Sequence, residues 1–251
     1  MKRFGLIGYP LGHSFSKGYF TEKFNREGFS EHVYENFPVE FIEELPGLIE
    51  LHPDLEGLNV TIPHKQAVIP YLNELDSGAA EIGAVNCIKV IHGNGSTRLK
   101  GFNTDAVGFE RSLLEMIGGL RPDALILGTG GASKAVAYVL THLGIRFRFV
   151  SRTGNTEHIL SYAELNLEII ARTPLIINTT PLGTSPNIES LPPIPYDGIG
   201  REHFLHDLVY NPAETAFLRE GRLRGATVKN GYAMLVGQAD RSWEIWNGRE
   251  F

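Results

Sequence analysis

Residues 124–133 read Ala-Leu-Ile-Leu-Gly-Thr-Gly-Gly-Ala-Ser, a short apolar run that leads directly into a glycine-rich turn. The apolar run is typical of a buried strand, and the apolar positions of residues 131–144 have helical spacing. Gly128 permits a tight turn, and Gly130 lets the backbone approach a pyrophosphate because no Cβ stands in the way. The helix that follows offers free N–H groups and the positive end of its dipole. This stretch predicts a Rossmann-like dinucleotide site.

The turn departs from the usual fingerprint at one position, where Ser133 stands in place of the third glycine. A small side chain is what that position requires, so the departure is tolerable. A Walker phosphate loop is excluded in this stretch, since Ser133 precedes Lys134 where a glycine is required.

The choice between NAD and NADP depends on the residues after the next predicted strand, 146–150. They read Ser151-Arg152-Thr153 and lie about 20 residues beyond the turn, where NAD enzymes place an acidic residue on the ribose. No acidic residue stands there. Arg152 instead offers a fork of N–H donors that matches a phosphate. The residues therefore favour NADP, with a solvent-exposed loop arginine as the alternative.

Strand and helix patterns alternate along the chain, which predicts parallel βαβ units. The predicted strands are 4–8, 32–37, 56–62, 84–91, 97–102, 124–128, 146–150, 174–178, 204–210 and 225–229. The predicted helices are 16–28, 39–51, 64–74, 105–117, 131–144, 213–223 and 231–247. Gly93-Asn94-Gly95 is a hairpin signal between two of the strands.

We expect two α/β domains with a cleft between them. The N-terminal substrate-binding and catalytic domain would span 1–104 and regain the C-terminal helix 232–251. The Rossmann-like NADP-binding domain would span 105–231.

The composition of the 251 residues excludes several classes of protein. The formal net charge is −6 and no segment concentrates Lys and Arg, so we expect no nucleic-acid partner. Cys87 is the only cysteine, which rules out an intrachain disulfide. No run reaches the roughly 18 apolar residues of a membrane span, and the N-terminus does not have the pattern of a signal peptide. We expect a cytoplasmic protein without membrane attachment, as a monomer or homodimer.

Two residues suggest chemistry by their positions. Lys65 lies just beyond the predicted strand 56–62, at the kind of strand end where α/β sheets bind ligands, and could transfer a proton. Asp105 follows strand 97–102 and begins a helix. Taken alone, Lys65 is better explained as a surface lysine and Asp105 as part of a helix cap.

Seven segments together resemble the shikimate dehydrogenase family, in order and over nearly the whole chain. They are Gly8-Tyr9-Pro10-Leu11-Gly12-His13-Ser14-Phe15-Ser16, Asn59 to Lys65, Gly83-Ala84-Val85-Asn86, Asn103-Thr104-Asp105, Gly128 to Ser133 with Ser151-Arg152-Thr153, Asn178 to Gly183, and Asn230 to Gln238. The resemblance implies NADPH-dependent reversible reduction of 3-dehydroshikimate to shikimate, a step of chorismate and aromatic amino acid biosynthesis.

The resemblance also implies the roles of individual residues. Lys65 and Asp105 would be the catalytic pair. The substrate-binding residues would be Ser14, Ser16, Thr61, Asn86, Asp105, Tyr210 and Gln238. The residues holding NADP would be Gly128, Thr129, Gly130, Gly131, Ala132, Ser133, Ser151, Arg152, Thr153, Leu208 and Gly231. No metal is implied, and we interpret His203 and His206 as structural.

The chain departs from the family pattern just after Ser16, where Lys17 stands in place of proline and Tyr19 and Phe20 differ from a common His-Asn pair. These departures affect the expected shape of the edge of the substrate site.

Two alternatives for the function stay open. The quinate/shikimate branch of the family often prefers NAD, against which Arg152 argues. A catalytically silent nucleotide sensor would not need Lys65 and Asp105 together.

Overall fold

The computed structural model describes residues 1–12, 15–93, 95–154 and 159–250. The chain divides into two compact units, one formed by Met1–Thr104 with Ala239–Phe251 and the other by Asp105–Gln238. Both units are α/β, as the alternation of strand and helix patterns predicts. The domain bounds and the cleft expected from the sequence stay predictions.

The first unit is built on a six-stranded sheet. Its strands are β1 (Lys2–Gly8), β2 (His32–Pro38), β3 (Leu55–Val60), β4 (Glu74–Leu75), β5 (Cys87–Gly93) and β6 (Ser96–Phe102). Its helices are α1 (Phe15–Glu27), α2 (Leu45–Leu51), α3 (His64–Ala67) and α4 (Ser77–Ile82). The strand order is β2-β1-β3-β5-β6-β4, and β5 and β6 form the predicted hairpin.

Strand direction sets which residues share an edge of this sheet. β1 is parallel to β2 and β3, and β4 is parallel to β6, while β5 is antiparallel to both β3 and β6. The carboxyl ends of the other five strands therefore meet at one edge, where β5 begins. Side chains alternate across the pleat, so Phe4 and Leu6 pack in one core cluster and Ile7 packs in another on the opposite face.

The second unit has a six-stranded parallel sheet. Its strands are β7 (Ala124–Leu127), β8 (Phe147–Ser151), β9 (Ile159–Ser161), β10 (Leu175–Asn178), β11 (Phe204–Asp207) and β12 (Thr227–Lys229). Its helices are α5 (Thr104–Ile117), α6 (Gly131–His142), α7 (Leu167–Arg172), α8 (Ala216–Leu223) and α9 (Tyr232–Trp246), of which α5 and α9 extend into the first unit.

The strand order β12-β11-β10-β7-β8-β9 confirms the Rossmann prediction. The chain winds in one direction from β7 to β9 and in the other from β10 to β12, so the order reverses between β7 and β10. Dinucleotides bind outside the carboxyl ends of the strands at such a switch point. The glycine-rich turn follows β7, which places it there.

Several predicted elements differ in extent from the observed ones, and two prolines explain the helices. Pro46 stands in the first turn of α2, so the helix predicted over 39–51 begins only at Leu45. Pro70 has no N–H for a helical bond, and the helix predicted over 64–74 ends at Ala67. The strand predicted over 204–210 ends at Asp207.

In the described ranges, no helix combines the length and apolar character needed to cross a membrane.

Candidate active site

The glycine-rich turn after β7 is held by the strands beside it. Gly128 has a φ of 106°, in the left-handed region, and its N–H donates to the Val150 carbonyl at 2.8 Å. A Cβ built on Gly128 would lie 2.8 Å from Thr179 Oγ1, so a side chain has no room here. Gly130 caps α6 with an ordinary φ of −79°, and a Cβ built there meets no atom within 4 Å. The backbone at Gly130 is therefore open to a ligand.

Ser133, the residue that departs from the fingerprint, faces inward. Its side chain is buried, and its hydroxyl donates to the Gly130 carbonyl at 2.7 Å. A small polar side chain thus closes the turn at the N-terminus of α6. The loop therefore keeps the features that a pyrophosphate requires, an exposed helix N-terminus and a backbone without a blocking side chain.

The expected ribose-phosphate residues follow β8, the strand next to β7. Ser151 ends β8, and its hydroxyl accepts a hydrogen bond of 3.2 Å from the N–H of Gly154. Arg152 and Thr153 are exposed. Burial raises the pKa of Tyr162, and the positive charge of Arg152 partly offsets that rise. Arg152 thus stands at the carboxyl edge of the sheet, where a cofactor phosphate could reach it.

A buried polar cluster, which the sequence does not single out, lies on the other side of the switch point. The Asp207 carboxylate at the end of β11 accepts from Asn178 Nδ2 at 3.0 Å, the Val209 N–H at 3.0 Å and the Thr215 hydroxyl at 2.6 Å. Burial raises its pKa to about 6, although these donors favour the charged form. Asn178 Oδ1 accepts from the N–H and hydroxyl of Thr180. The cluster ties together the loops after β10 and β11.

Two of the residues expected to hold NADP, Leu208 and Gly231, lie next to each other in the second unit. The Leu208 N–H donates to the Asn178 carbonyl at 3.0 Å, and the Gly231 N–H donates to the Val209 carbonyl at 3.0 Å. A Cβ on Gly231 would collide with the Leu208 carbonyl. Tyr210 follows on the same segment and is 39% exposed. Glycine at 231 therefore allows the close approach of these two segments.

Asp105 and Gln238 lie on helices that cross closely. Asp105 is in the first turn of α5, where the helix dipole favours a carboxylate. Gln238 on α9 is buried, and its Nε2 donates to the Leu235 carbonyl at 2.9 Å. Gly108 on α5 and Gly237 on α9 meet at the crossing, where a Cβ on Gly237 would lie 3.1 Å from Gly108 Cα. The absence of side chains at both glycines sets the approach of the two helices.

In the first unit, the predicted substrate residues collect at the carboxyl edge of the sheet. Thr61 follows β3, with its N–H donating to the Ile7 carbonyl at 2.9 Å. Asn86 stands just before β5, with its N–H donating to the Phe102 carbonyl at 3.1 Å. Lys65 lies in α3, and its carbonyl accepts from the Val85 N–H at 2.7 Å.

The remaining two predicted substrate residues are Ser14 and Ser16. Ser16 is the second residue of α1, and its hydroxyl is hydrogen-bonded to buried Tyr34, whose pKa is raised by burial and lowered in part by that bond. Ser14 lies outside the described residues. The first unit thus brings Ser16, Thr61, Lys65 and Asn86 to elements that meet the same sheet edge.

Two of the three departures after Ser16, Tyr19 and Phe20, are packed into the first unit, while Lys17 is exposed. Phe20 is fully buried and stacks on Tyr34 with ring centroids 4.7 Å apart. The Tyr19 hydroxyl donates to Asp240 Oδ1 at 2.6 Å. The packing of Phe20 and the hydrogen bond of Tyr19 therefore anchor the start of α1. These two residues stand where the family pattern commonly has a His-Asn pair.

The histidines that the sequence leaves aside are engaged with the protein. His64 is buried, and its Nε2 lies 2.7 Å from the Val39 carbonyl oxygen. His203 Nε2 lies 3.0 Å from the Ile170 carbonyl oxygen. His206 is paired with the Ser112 hydroxyl at 2.9 Å, and burial lowers its pKa to about 3. These contacts favour structural roles for all three.

Comparison with known proteins identifies the family. The sequence profile of the shikimate dehydrogenase substrate binding domain matches residues 6–88. The chain is 38% identical, over 271 aligned positions, to the shikimate dehydrogenase (NADP(+)) of Halothermothrix orenii, covering 97% of this chain and 90% of the relative.

Two solved structures have the same architecture over nearly their full length. The shikimate 5-dehydrogenase of Thermus thermophilus, in complex with NADP(H) and shikimate, is 34% identical with a TM-score of 0.84, covering 99% of this chain and 94% of that one. The ligand-free 5-ketofructose reductase of a Gluconobacter species is 28% identical with a TM-score of 0.85, covering 99% and 93%. The chain is similar to a shikimate dehydrogenase over nearly its full length, and its second sheet has the Rossmann strand order. The chain therefore belongs to the shikimate dehydrogenase family.

Proposed function

We propose that this protein catalyses the reversible reduction of 3-dehydroshikimate to shikimate with NADPH, a step of chorismate and aromatic amino acid biosynthesis. One observation carries the proposal. The chain is 38% identical over 97% of its length to a relative named shikimate dehydrogenase (NADP(+)). The positions of the two catalytic candidates fit this assignment, since Lys65 follows the end of β3 and Asp105 lies in the first turn of α5.

Lys65 and Asp105 form the proposed catalytic pair. When bound, NADPH supplies the hydride that reduces the substrate carbonyl. The carbonyl oxygen then gains negative charge, which the Lys65 ammonium would stabilise before delivering a proton from Nζ. Asp105 would hold that ammonium in place through a charge-assisted hydrogen bond. In the reverse direction, Lys65 would accept the proton from the substrate hydroxyl.

The proposed substrate site satisfies a small polyhydroxylated acid mainly with neutral hydrogen-bonding groups. Ser14 and Ser16 would donate to its carboxylate, with Tyr210 adding a contact nearby. The ring hydroxyls would be held by Thr61, Asn86, Asp105 and Gln238. Polar groups at fixed positions give specificity because a substrate lacking a matching hydroxyl leaves them unpaired.

The proposed cofactor site is the switch point of the second sheet. The loop from Gly128 to Ser133 would hold the pyrophosphate at the N-terminus of α6. Arg152, flanked by Ser151 and Thr153, would bind the 2′-phosphate of NADP. Leu208 and Gly231 would lie beside the nicotinamide. The open space at Gly130 supports this arrangement.

We further propose that the enzyme works in the cytoplasm as a monomer or homodimer, with no metal and no nucleic-acid partner. Two observations support this part of the proposal. The sequence has a single cysteine, Cys87, which is buried, so that no intrachain disulfide can form, and this suits a reducing compartment. The formal net charge is −6, which disfavours contact with a phosphate backbone.

A nicotinamide absorbance assay tests the reaction, with shikimate or quinate as substrate and NADP or NAD as cofactor. We expect strong turnover only with shikimate and NADP. Good turnover with quinate or NAD would favour the quinate/shikimate branch. Reduction of 5-ketofructose is measured alongside, because a reductase of that substrate shares the fold. Activity with 5-ketofructose alone, or no activity from the folded protein, would overturn the proposal.

The catalytic pair is tested with Lys65→Met and Asp105→Asn. We expect each to reduce kcat by at least about a hundredfold, the usual contribution of a positioned proton donor, while the protein stays folded. Lys89→Met is the matched control, because Lys89 is a lysine of the same unit paired with Glu250 at 2.7 Å. Unchanged turnover in Lys65→Met would remove Lys65 from the mechanism.

A further inference from the structure

A continuous series of buried hydrogen bonds crosses the first unit and ends at Asn86. The Tyr34 hydroxyl donates to Asn59 Oδ1 at 2.8 Å, and Asn59 Nδ2 donates to the Ser242 hydroxyl at 2.9 Å. Ser242 Oγ lies 3.2 Å from Thr104 Oγ1, which accepts from Asn86 Nδ2 at 3.0 Å. All five side chains are buried, between 0% and 4% exposed. They come from β2, β3, α9, α5 and the residue before β5.

Two backbone contacts fix the orientation of both amides in this series. A backbone N–H can only donate, and the N–H of Thr104 lies 2.6 Å from Asn86 Oδ1, so the amide oxygen of Asn86 faces inward. A backbone carbonyl can only accept, and the carbonyl of Asn86 lies 3.3 Å from Asn59 Nδ2. The assignment of oxygen and nitrogen in each amide follows from these contacts.

These orientations decide how Asn59 bonds to its two neighbours in the series. Asn59 presents its oxygen to Tyr34, so the tyrosine hydroxyl is the donor. Ser242 Oγ accepts from Asn59 Nδ2 and also contacts Thr104 Oγ1, where either hydroxyl can be the donor. Thr104 in turn has its hydroxyl 3.2 Å from Asn86 Oδ1. Ser242 is therefore the link between Asn59 on β3 and Thr104, which contacts Asn86.

Asn86 is left with one defined group for a ligand. Its oxygen accepts from Thr104, and one hydrogen of Nδ2 is used by the Thr104 hydroxyl. Within the described part of the chain, the second hydrogen of Nδ2 takes part in no hydrogen bond. Asn86 therefore offers an N–H, which recognises an acceptor oxygen such as that of a substrate hydroxyl.

We propose that Ser242 is a positioning residue for substrate recognition, which acts through Thr104 to hold Asn86 with an N–H directed to an oxygen of the substrate. The inference rests on the proposed function, because the substrate in question is the polyhydroxylated acid. Ser242 lies 156 positions beyond Asn86 in the chain, and no contact between Ser242 and the substrate is required.

The test is Ser242→Ala, which removes the hydroxyl and little volume. Losing one buried hydrogen bond corresponds to roughly a fivefold to tenfold effect on affinity. We expect KM for shikimate to rise by that factor, with KM for NADP unchanged. Ser112→Ala is the matched control, because Ser112 is also a buried helical serine, and its hydroxyl is paired with His206. It should leave both KM values unchanged.

A double-mutant cycle with Asn86→Ala distinguishes positioning from general packing. If Ser242 acts through Asn86, Ser242→Ala adds little to the loss in Asn86→Ala. If Ser242→Ala does not fold, Ser242→Cys keeps the shape of the side chain with a slightly larger atom and replaces the hydroxyl by a weaker donor, and the KM for shikimate should again rise.

Three results would overturn the inference. The first is an unchanged KM for shikimate in the folded variant, and the second is an equal rise of both KM values. The third is full additivity in the cycle. Wild-type turnover is measured in the same assay: an active wild type beside an unaffected variant removes the role of Ser242 alone, whereas an inactive wild type removes the proposed function and this inference with it.

Discussion

The carboxylate of Asp207 accepts a hydrogen bond of 2.6 Å from the hydroxyl of Thr215, which is also the N-cap of α8. Its two further donors, Asn178 Nδ2 and the Val209 N–H, are neutral as well. Because burial outweighs these donors, the pKa of Asp207 is raised to about 6. The charged form of Asp207 is therefore disfavoured in the folded protein, although its carboxylate ties together the loops after β10 and β11.

This pKa predicts a pH dependence of stability. Between the ordinary value of 3.8 and about 6, the folded state holds a proton on Asp207 that the unfolded state has lost. The contribution of Asp207 to stability is therefore largest below the unfolded value and falls as pH rises towards the folded one. Relative to Asp207→Asn, the wild type should lose about 1 kcal/mol of unfolding free energy between about pH 5 and pH 7.

Urea unfolding of both proteins at the two pH values measures this difference. Subtracting the unfolding free energies of the two proteins removes the contributions of all other titrating groups that the substitution leaves unchanged. Thr215→Val, which removes a donor to the carboxylate, should enlarge the loss. A pH-independent difference between wild type and Asp207→Asn would show that the carboxyl titrates normally.

The contact between Gly108 and Gly237 predicts a graded pair of variants. A Cβ on Gly108 would collide with the Met234 carbonyl and lie 2.8 Å from the Gln238 N–H nitrogen, so Gly108→Ala forces α5 and α9 apart. A Cβ on Gly237 would lie 3.1 Å from Gly108 Cα, which requires a smaller shift. We expect a stability loss of roughly 1–3 kcal/mol for Gly108→Ala, a smaller loss for Gly237→Ala, and a raised KM for shikimate in the same order.

Gly47→Ala is the control for this pair, because Gly47 lies in α2 and a Cβ there meets no atom within 4 Å. Alanine at such a site should leave KM unchanged and stabilise the protein by up to about 1 kcal/mol. Equal effects of all three substitutions would contradict the role of the helix crossing. The measurements are thermal unfolding and the KM values for shikimate and NADP.

Two glycines of the turn after β7 should respond in opposite ways to alanine. Gly128 has a positive φ and no room for a Cβ, so Gly128→Ala should destabilise the protein by roughly 1–3 kcal/mol. Gly130 has an ordinary φ and open space, so Gly130→Ala should keep the unfolding temperature and raise KM for NADP. A normal KM for NADP in Gly130→Ala would remove this loop from the cofactor site.

Arg152 should distinguish NADP from NAD. Removing a hydrogen-bonded guanidinium from a phosphate costs about 1.5–3 kcal/mol, so Arg152→Ala should raise KM for NADP roughly tenfold to a hundredfold and leave KM for NAD unchanged. Arg146→Ala is the control. Arg152 follows β8, whereas Arg146 precedes it and pairs with Asp123 at 2.9 Å. Equal changes with both cofactors would assign the 2′-phosphate to other residues.

Prediction from sequence succeeded where the signal is local. The turn from Gly128 to Ser133 and the hairpin of β5 and β6 follow from residue types at short spacing, because strand ends and turns depend on neighbouring residues. Short elements were missed, among them β4 with two residues and β9 with three, because such lengths contain too little of any periodic pattern. The strand predicted over 204–210 is too long because Asp207 bonds to the following Val209 N–H.

By itself, the sequence determined the family and the α/β class, since ordered motifs and strand–helix alternation are properties of the linear chain. It also determined which residues are candidates for chemistry. Only the tertiary structure decided which distant residues hold these candidates in place. Ser242 reaches Asn59 and Thr104, and Gly237 reaches Gly108, because strand order and helix crossings bring together residues whose separation along the chain has no periodic signature.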